Sequence, residues 1–152
     1  MSLSKPEASV SSYKKGRGLC IYICNVVFGK NIGTGYSNES IQDGRFRAGA
    51  GIDTANISRA LAYIDMEYQY YENKTAKEIL DILQDARKLV DDEKDKYSSL
   101  MILISTHGER GTLYGTDEVQ INEELEIINP FHNSECMGLR GKPKVFLFNA
   151  CR

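Results

Sequence analysis

The feature that most constrains the fold is a set of short apolar runs that alternate with helical patterns. The near-continuous run LCIYICNVV (19–27) is typical of a strand covered on both faces, and SLMILIS (99–105) and KPKVFLF (142–148) are predicted to form two further strands, the first of them buried. A shorter strand is predicted at YQYY (68–71). Strands that alternate with helices form an α/β sheet, which is parallel wherever the connections are helical. We therefore predict an α/β fold with a mostly parallel sheet and flanking helices.

Two amphipathic helices are predicted between these strands. The first covers 53–64, with Asp53 as its N-cap, and its apolar positions recur with helical spacing at Ile57, Ala60, Leu61 and Ile64. The second follows a capping-box pattern formed by Thr75 and Glu78. Its apolar face is predicted to consist of Ile79, Ile82, Leu83, Ala86 and Val90. EELEII (123–128) is predicted to form a further short helix.

Length and composition indicate a single globular domain. The 152 residues suffice for one core, and we divide them into a flexible N-terminal tail (1–16) and a domain (17–152). The net charge of −2 argues against a nucleic-acid partner, because phosphate binding requires a basic face. No run approaches the ~20 apolar residues of a membrane helix, and the start lacks the apolar centre of a secretory signal. We therefore expect no membrane association and a cytoplasmic location.

The four cysteines follow neither a disulfide framework nor paired zinc-ligand spacing. Cys20 and Cys24 share one face of a predicted strand, roughly 13 Å apart, which is too far for a disulfide. We interpret these two and Cys136 as packing residues in a reduced compartment. His132 lies four residues before Cys136, but two ligands without partners make a poor zinc site. No metal or cofactor is expected.

One cysteine and one histidine follow predicted strand ends. His107 follows the run that ends at 105, and Cys151 follows the run that ends at 148. Parallel sheets bind ligands beyond the carboxyl ends of their strands, so this pair could supply a nucleophile and its proton carrier. From the pairing alone, a core-edge cysteine and an unrelated surface histidine are the better interpretation. Gly108 could direct its N–H at an oxyanion, or simply serve the turn.

The surrounding motifs reverse that preference. NACR at the end of the chain is similar to the caspase signature Q-A-C-[RQG]-G, which has a histidine about fifty residues upstream. GLCIYICN resembles the first strand of the caspase family, RAGAGIDTANI its arginine-bearing loop and first helix, and THGERG its histidine motif. The chain from Arg17 onward thus resembles the large subunit of a caspase, an aspartate-specific cysteine peptidase.

The resemblance implies a role for each matching residue. Cys151 would be the nucleophile and His107 the proton shuttle, and the N–H groups of Gly108 and Cys151 would form the oxyanion hole. Arg47 would bind the aspartate at P1, the substrate residue before the cleaved bond; a guanidinium suits this because it binds a carboxylate bidentately. Without the resemblance, Arg47 would be interpreted as a solvated loop charge.

Three positions depart from the family pattern. Asn149 stands where glutamine lines the P1 pocket, and its missing methylene suggests that glutamine here would modestly strengthen substrate binding. Gly51 and Arg110 each replace a residue that is commonly acidic in the family, which makes the site less negative.

The resemblance implies a caspase-like fold without the small-subunit strands, and therefore an apolar sheet edge. We expect a cysteine endopeptidase that cleaves after aspartate in apoptosis or inflammatory signalling. Its expected partners are protein substrates, a caspase small subunit and a homo- or heterodimer partner, and the chain alone is expected to be inactive. The alternative is a non-catalytic caspase homologue that pairs with an active caspase and regulates it. A flavodoxin-like binding domain with coincidental motifs is a third possibility.

Overall fold

The computed structural model describes residues 16–29, 47, 50–64 and 66–150. The elements in chain order are β1 (Arg17–Cys24), α1 (Ala50–Tyr63), β2 (Met66–Glu72), α2 (Ala76–Asp92), β3 (Tyr97–Ser105), β4 (Gly108–Glu109), β5 (Thr112–Tyr114), β6 (Gln120–Asn122) and β7 (Lys144–Asn149). The four long strands form a parallel sheet in the order β2-β1-β3-β7. The predicted α/β fold is thereby confirmed. The predicted tail (except Gly16), most of the loop after Val27, and Cys151 lie outside the described residues.

The central strand β1 is buried on both faces. Leu19 and its alternate neighbours belong to the core beneath α2, which includes Ile79 and Leu83. Cys20 and its alternate neighbours belong to a second core on the opposite face, with Leu61 of α1. This two-sided burial explains why the sequence of β1 is continuously apolar rather than alternating. None of the described helices is long and apolar enough to cross a membrane.

The two helices begin differently. The capping box of α2 is confirmed, because the Thr75 hydroxyl accepts from the Glu78 N–H while the Glu78 carboxylate accepts from the Thr75 N–H. The prediction of Asp53 as the N-cap of α1 is wrong, since this helix already begins at Ala50. Asp53 instead lies in the first turn, where a carboxylate interacts favourably with the helix dipole.

A small antiparallel ribbon follows His107 and was not predicted from the sequence. Its strands β4, β5 and β6 are only two or three residues long, too short for a side-chain period to be recognised. Gly111, at φ +79°, forms the turn between β4 and β5. The predicted short helix is confirmed as a single wide turn, Glu123–Ile128, capped by the Asn122 side chain.

Strand β7 lies at one end of the sheet order. Phe146 and Phe148 pack into the core beneath α2, whereas the opposite face presents Val145 and Leu147, which are 41% and 47% exposed. Within the described part of the chain, β3 is the only strand that pairs with β7. An unpaired strand edge beside exposed apolar side chains is a surface for association.

Candidate active site

Buried amide and hydroxyl groups hold together the carboxyl ends of β1, β2 and β3. The Asn25 side chain donates to the Lys74 carbonyl and the Thr106 hydroxyl, both at 3.1 Å, and accepts from the Lys74 N–H at 2.8 Å. Thr106 in turn donates to the Tyr114 carbonyl at 2.7 Å. Asn25 is fully buried and Thr106 nearly so, so these bonds satisfy groups that would otherwise be costly to bury. These hydrogen bonds fix the backbone at the carboxyl ends of the three strands, where the predicted site lies.

A second asparagine orders the chain beyond β1. The Asn73 side-chain oxygen accepts from the backbone N–H groups of Val26 and Val27, at 2.9 and 3.0 Å. Asn73 has φ +52°, a conformation that asparagine tolerates better than most residues. The next residue along, Phe28, packs its ring against the imidazole of His107 with centroids 4.2 Å apart. The segment after β1 thus forms one wall against the predicted proton shuttle.

Gly108 brings the histidine segment against the chain that leads to Cys151. A Cβ atom placed on Gly108 would lie 2.9 Å from the Ala150 Cβ and 2.8 Å from the Thr112 carbonyl oxygen. Both distances are shorter than real Cβ contacts allow, so only glycine fits here without displacement. Because Ala150 directly precedes Cys151, the backbone after His107 packs against the approach to the predicted nucleophile.

Arg47 and Asn149 meet at one buried hydroxyl. The Arg47 Nη1 donates to the Ser105 Oγ at 2.9 Å and to the Asn25 carbonyl at 3.1 Å. The Asn149 Nδ2 donates to the same Ser105 Oγ at 3.2 Å. Two of the residues predicted to bind substrate are therefore within reach of each other through Ser105, two positions before His107.

Sequence reasoning missed Asn25 and Ser105. Both stand at the ends of apolar runs, and a polar residue that interrupts or closes a buried strand was the available signal. The sequence gives no indication that these two residues share a partner, because Arg47 is distant from both of them along the chain.

The other cysteines are suited to packing. Burial raises the pKa of Cys20 to about 12, and burial followed by the Asp91 charge raises the pKa of Cys136. Thiols with such pKa values stay protonated and are poor nucleophiles at neutral pH. Cys24 is also fully buried. Cys151 lies outside the described residues, so its pairing with His107 stays a prediction.

Metal-ligand clusters and surface cavities could also mark a site within the described residues. The described residues contain no group of three or more histidine, cysteine or acidic side chains able to hold a metal ion. A cavity of about 300 Å³ lies between α2 and the segment 123–131. Its lining residues are Leu80, Leu83, Gln84, Arg87, Glu126 and Pro130, none of which belongs to the predicted site.

A parallel α/β sheet with a histidine–glycine turn beside the strand that leads to a cysteine is the arrangement expected of a cysteine-peptidase-like domain. Comparison with known proteins identifies the class more closely, since the family model of the caspase domain matches residues 17–152. The chain belongs to the caspase family.

Similar proteins agree with this assignment. The chain is 32% identical to caspase-14 of Mus musculus over 70% of its length, and 32% identical to caspase-3 of Oryctolagus cuniculus over 89%. It is 30% identical to caspase-2 of Gallus gallus over 90%. The matched parts are 41%, 43% and 29% of those relatives, so the chain spans less than half of their length.

The bond from Asn149 to Ser105 changes the expectation for glutamine at position 149. The two residues are neighbours in register across β3 and β7, so a short amide suits the short serine. We expect Asn149→Gln to displace this bond and lower kcat/KM for aspartyl peptides about fivefold, or about 1 kcal/mol. Steady-state kinetics on a catalytically competent form of the protein would measure this, and a rise in kcat/KM would support the original expectation instead.

Proposed function

We propose that the protein is a cysteine endopeptidase that cleaves after aspartate, with its acyl-enzyme on Cys151. The observation that carries this proposal is the convergence of Arg47 and Asn149 on Ser105, beside His107 and at the same sheet edge as the approach to Cys151. A cation and an amide held side by side at this edge match the needs of a carboxylate side chain. As in the caspase resemblance, the setting would be apoptosis or inflammatory signalling.

In the proposed reaction, His107 takes the proton of the Cys151 thiol, and the resulting thiolate attacks the carbonyl carbon of the scissile peptide bond. The oxyanion that forms accepts hydrogen bonds from the N–H groups of Gly108 and Cys151. His107 donates a proton to the departing amine as the C–N bond breaks, which leaves a thioester on the enzyme. His107 then takes a proton from a water molecule, whose oxygen attacks the thioester. The C–S bond breaks, the acid product leaves, and His107 returns the proton to the Cys151 sulfur.

Arg47 would distinguish the P1 aspartate from neutral residues. Nη1 donates to both Asn25 and Ser105, so a carboxylate would be bound through the guanidinium edge formed by Nε and Nη2. A planar fork that is already anchored loses little rotational freedom when a substrate binds.

The partner proposed for this chain is a caspase small subunit. The relatives are more than twice as long as the matched region. Within the described residues β7 pairs on one side only, so its other side, with Val145 and Leu147, is a surface on which further strands could pair and pack. A dimer built through that second portion would follow from the caspase resemblance. A cytoplasmic location is proposed on the same grounds.

The test is to combine residues 1–152 with a caspase small subunit, hereafter the completed enzyme, and to assay cleavage of peptides with aspartate at P1. We expect residues 1–152 alone to be catalytically inactive. Positioning of the substrate supplies much of an enzyme's rate, and the P1 pocket would lack the walls that the small subunit provides. Activity should appear only in the completed enzyme and disappear in Cys151→Ala. Strong cleavage by the monomer alone would contradict the expected dependence on a second subunit.

The exposed edge of β7 also favours a second candidate, a regulator that pairs with an active caspase. Adding the Cys151→Ala form of this chain to an intact caspase separates the two functions. A change in that caspase's activity, together with no activity of the completed enzyme, would favour the regulator.

A further inference from the structure

Ser105 is the common acceptor of two side chains predicted to bind substrate. It ends β3, is 2% exposed, and its Oγ receives the Arg47 Nη1 at 2.9 Å and the Asn149 Nδ2 at 3.2 Å. A hydroxyl oxygen has two acceptor lone pairs, so one serine can satisfy both donors. The two bonds account for the buried position of a polar side chain at the end of an apolar strand.

Arg47 and Asn149 cannot replace this arrangement with a direct bond between the same atoms. A guanidinium carries only donors, and the amide nitrogen of asparagine is also a donor. Without the Ser105 oxygen, the Asn149 amide would have to turn its own oxygen toward Arg47 to avoid two donors facing each other, which changes the orientation of both groups. The serine therefore determines how close the two groups can lie and how each is turned.

The second anchor of Arg47 is itself rigid. Nη1 also donates to the Asn25 carbonyl, and the Asn25 side chain is tied to Lys74 and Thr106. Ser105 and Asn25 together occupy both hydrogens of Nη1, which fixes the rotation of the guanidinium plane about its last bonds. Only one of the two contacts, the one with Ser105, comes from a side chain and can be removed by substitution without altering the backbone.

We propose that Ser105 is a positioning residue of the P1 pocket, whose hydroxyl holds Arg47 and Asn149 in one arrangement and thereby sets the preference for a carboxylate. The inference rests on the proposed function for its substrate, but the positioning itself is a property of the folded chain. The same arrangement accounts for asparagine rather than glutamine at position 149, because an amide one methylene longer would extend past Ser105, its neighbour in register.

The first test measures positioning without catalysis. In residues 1–152 labelled with ¹⁵N, the Arg47 guanidinium and the Asn149 amide should give distinct, slowly exchanging side-chain signals. Ser105→Ala should merge or shift both sets, whereas Ser98→Ala, the same change at the other end of β3, should leave them in place. Unchanged Arg47 and Asn149 signals in Ser105→Ala would overturn the proposal whether or not the protein is a peptidase.

The second test measures specificity in the completed enzyme. Peptides that differ only in aspartate or asparagine at P1 separate recognition of the charge from recognition of shape. We expect Ser105→Ala to reduce the ratio of the two kcat/KM values about tenfold, with the loss mainly in KM for the aspartyl peptide. The alkylation rate of Cys151 and its pH profile should not change.

A purely structural role for Ser105 would lower both kcat/KM values equally and would contradict the proposal. If the unsubstituted completed enzyme shows no cleavage, the proposed function fails, while the ¹⁵N measurement still decides whether Ser105 positions the two side chains.

Discussion

Arg47→Lys is expected to lower kcat/KM of the completed enzyme for aspartyl peptides by about 100-fold. The reason is that Arg47 uses one nitrogen, Nη1, to hold the Asn25 carbonyl and the Ser105 hydroxyl, so its other nitrogens are the ones that would bind a substrate carboxylate. A lysine ammonium has a single nitrogen, so it can bind either the two buried acceptors or the substrate carboxylate with good geometry. Steady-state kinetics with aspartyl and asparaginyl peptides would measure the loss.

Arg59→Lys is the matched control for this substitution. Arg59 lies on the exposed side of α1, so the same chemical change there should leave kcat/KM within error. Thermal melting of both variants would separate a loss of recognition from a loss of fold. An unchanged kcat/KM in Arg47→Lys would remove Arg47 from the site.

The strands of the sheet could be predicted because buried strand positions are occupied by apolar residues. β1 is buried on both faces, and β3 is buried on both faces in its second half, so each contains a continuous apolar run. The helix α2 was equally clear, because one stripe of apolar residues and a reciprocal cap coincide at its start. In these elements local preference and tertiary environment favour the same structure.

The start of α1 could not be predicted from local preference alone. Asp53 is a good N-cap residue, yet the helix begins three residues earlier, at Ala50. The Ala50 N–H bonds to the Arg47 carbonyl, and the Thr54 hydroxyl bonds to the Ala50 carbonyl. These contacts extend the first turn toward Arg47, which is itself bonded to the Asn25 carbonyl and the Ser105 hydroxyl.

The candidate site was predictable only in part. The histidine and cysteine motifs can be recognised from their order and spacing, and the arginine from the caspase resemblance. The hydroxyl that joins Arg47 to Asn149 could not be predicted, because Ser105 resembles any polar residue at a strand end. Its importance arises from a side chain 58 positions away and another 44 positions away, brought together by the parallel order of the strands.

Gly108 is the position at which a single added methyl group should have the widest effect. The two atoms nearest to an added Cβ are the Thr112 carbonyl oxygen, which is part of the β4–β5 ribbon, and the Ala150 Cβ, which lies one residue before Cys151. Neither is the end of a long side chain that could turn aside. Relief of the contact therefore requires a shift of the ribbon that follows His107 or of the chain that carries the predicted nucleophile.

Gly108→Ala is accordingly expected to lower kcat/KM of the completed enzyme about 100-fold, because a displacement near 1 Å between reacting groups has an effect of that order. Overpacking should also reduce the free energy of unfolding by about 1–3 kcal/mol. The double variant Gly108→Ala/Ala150→Gly removes one of the two close contacts and keeps the other, so it should recover activity only partly. Kinetics and thermal melting of both variants measure this, and wild-type activity in Gly108→Ala would mean that the turn after His107 does not fix the position of Cys151.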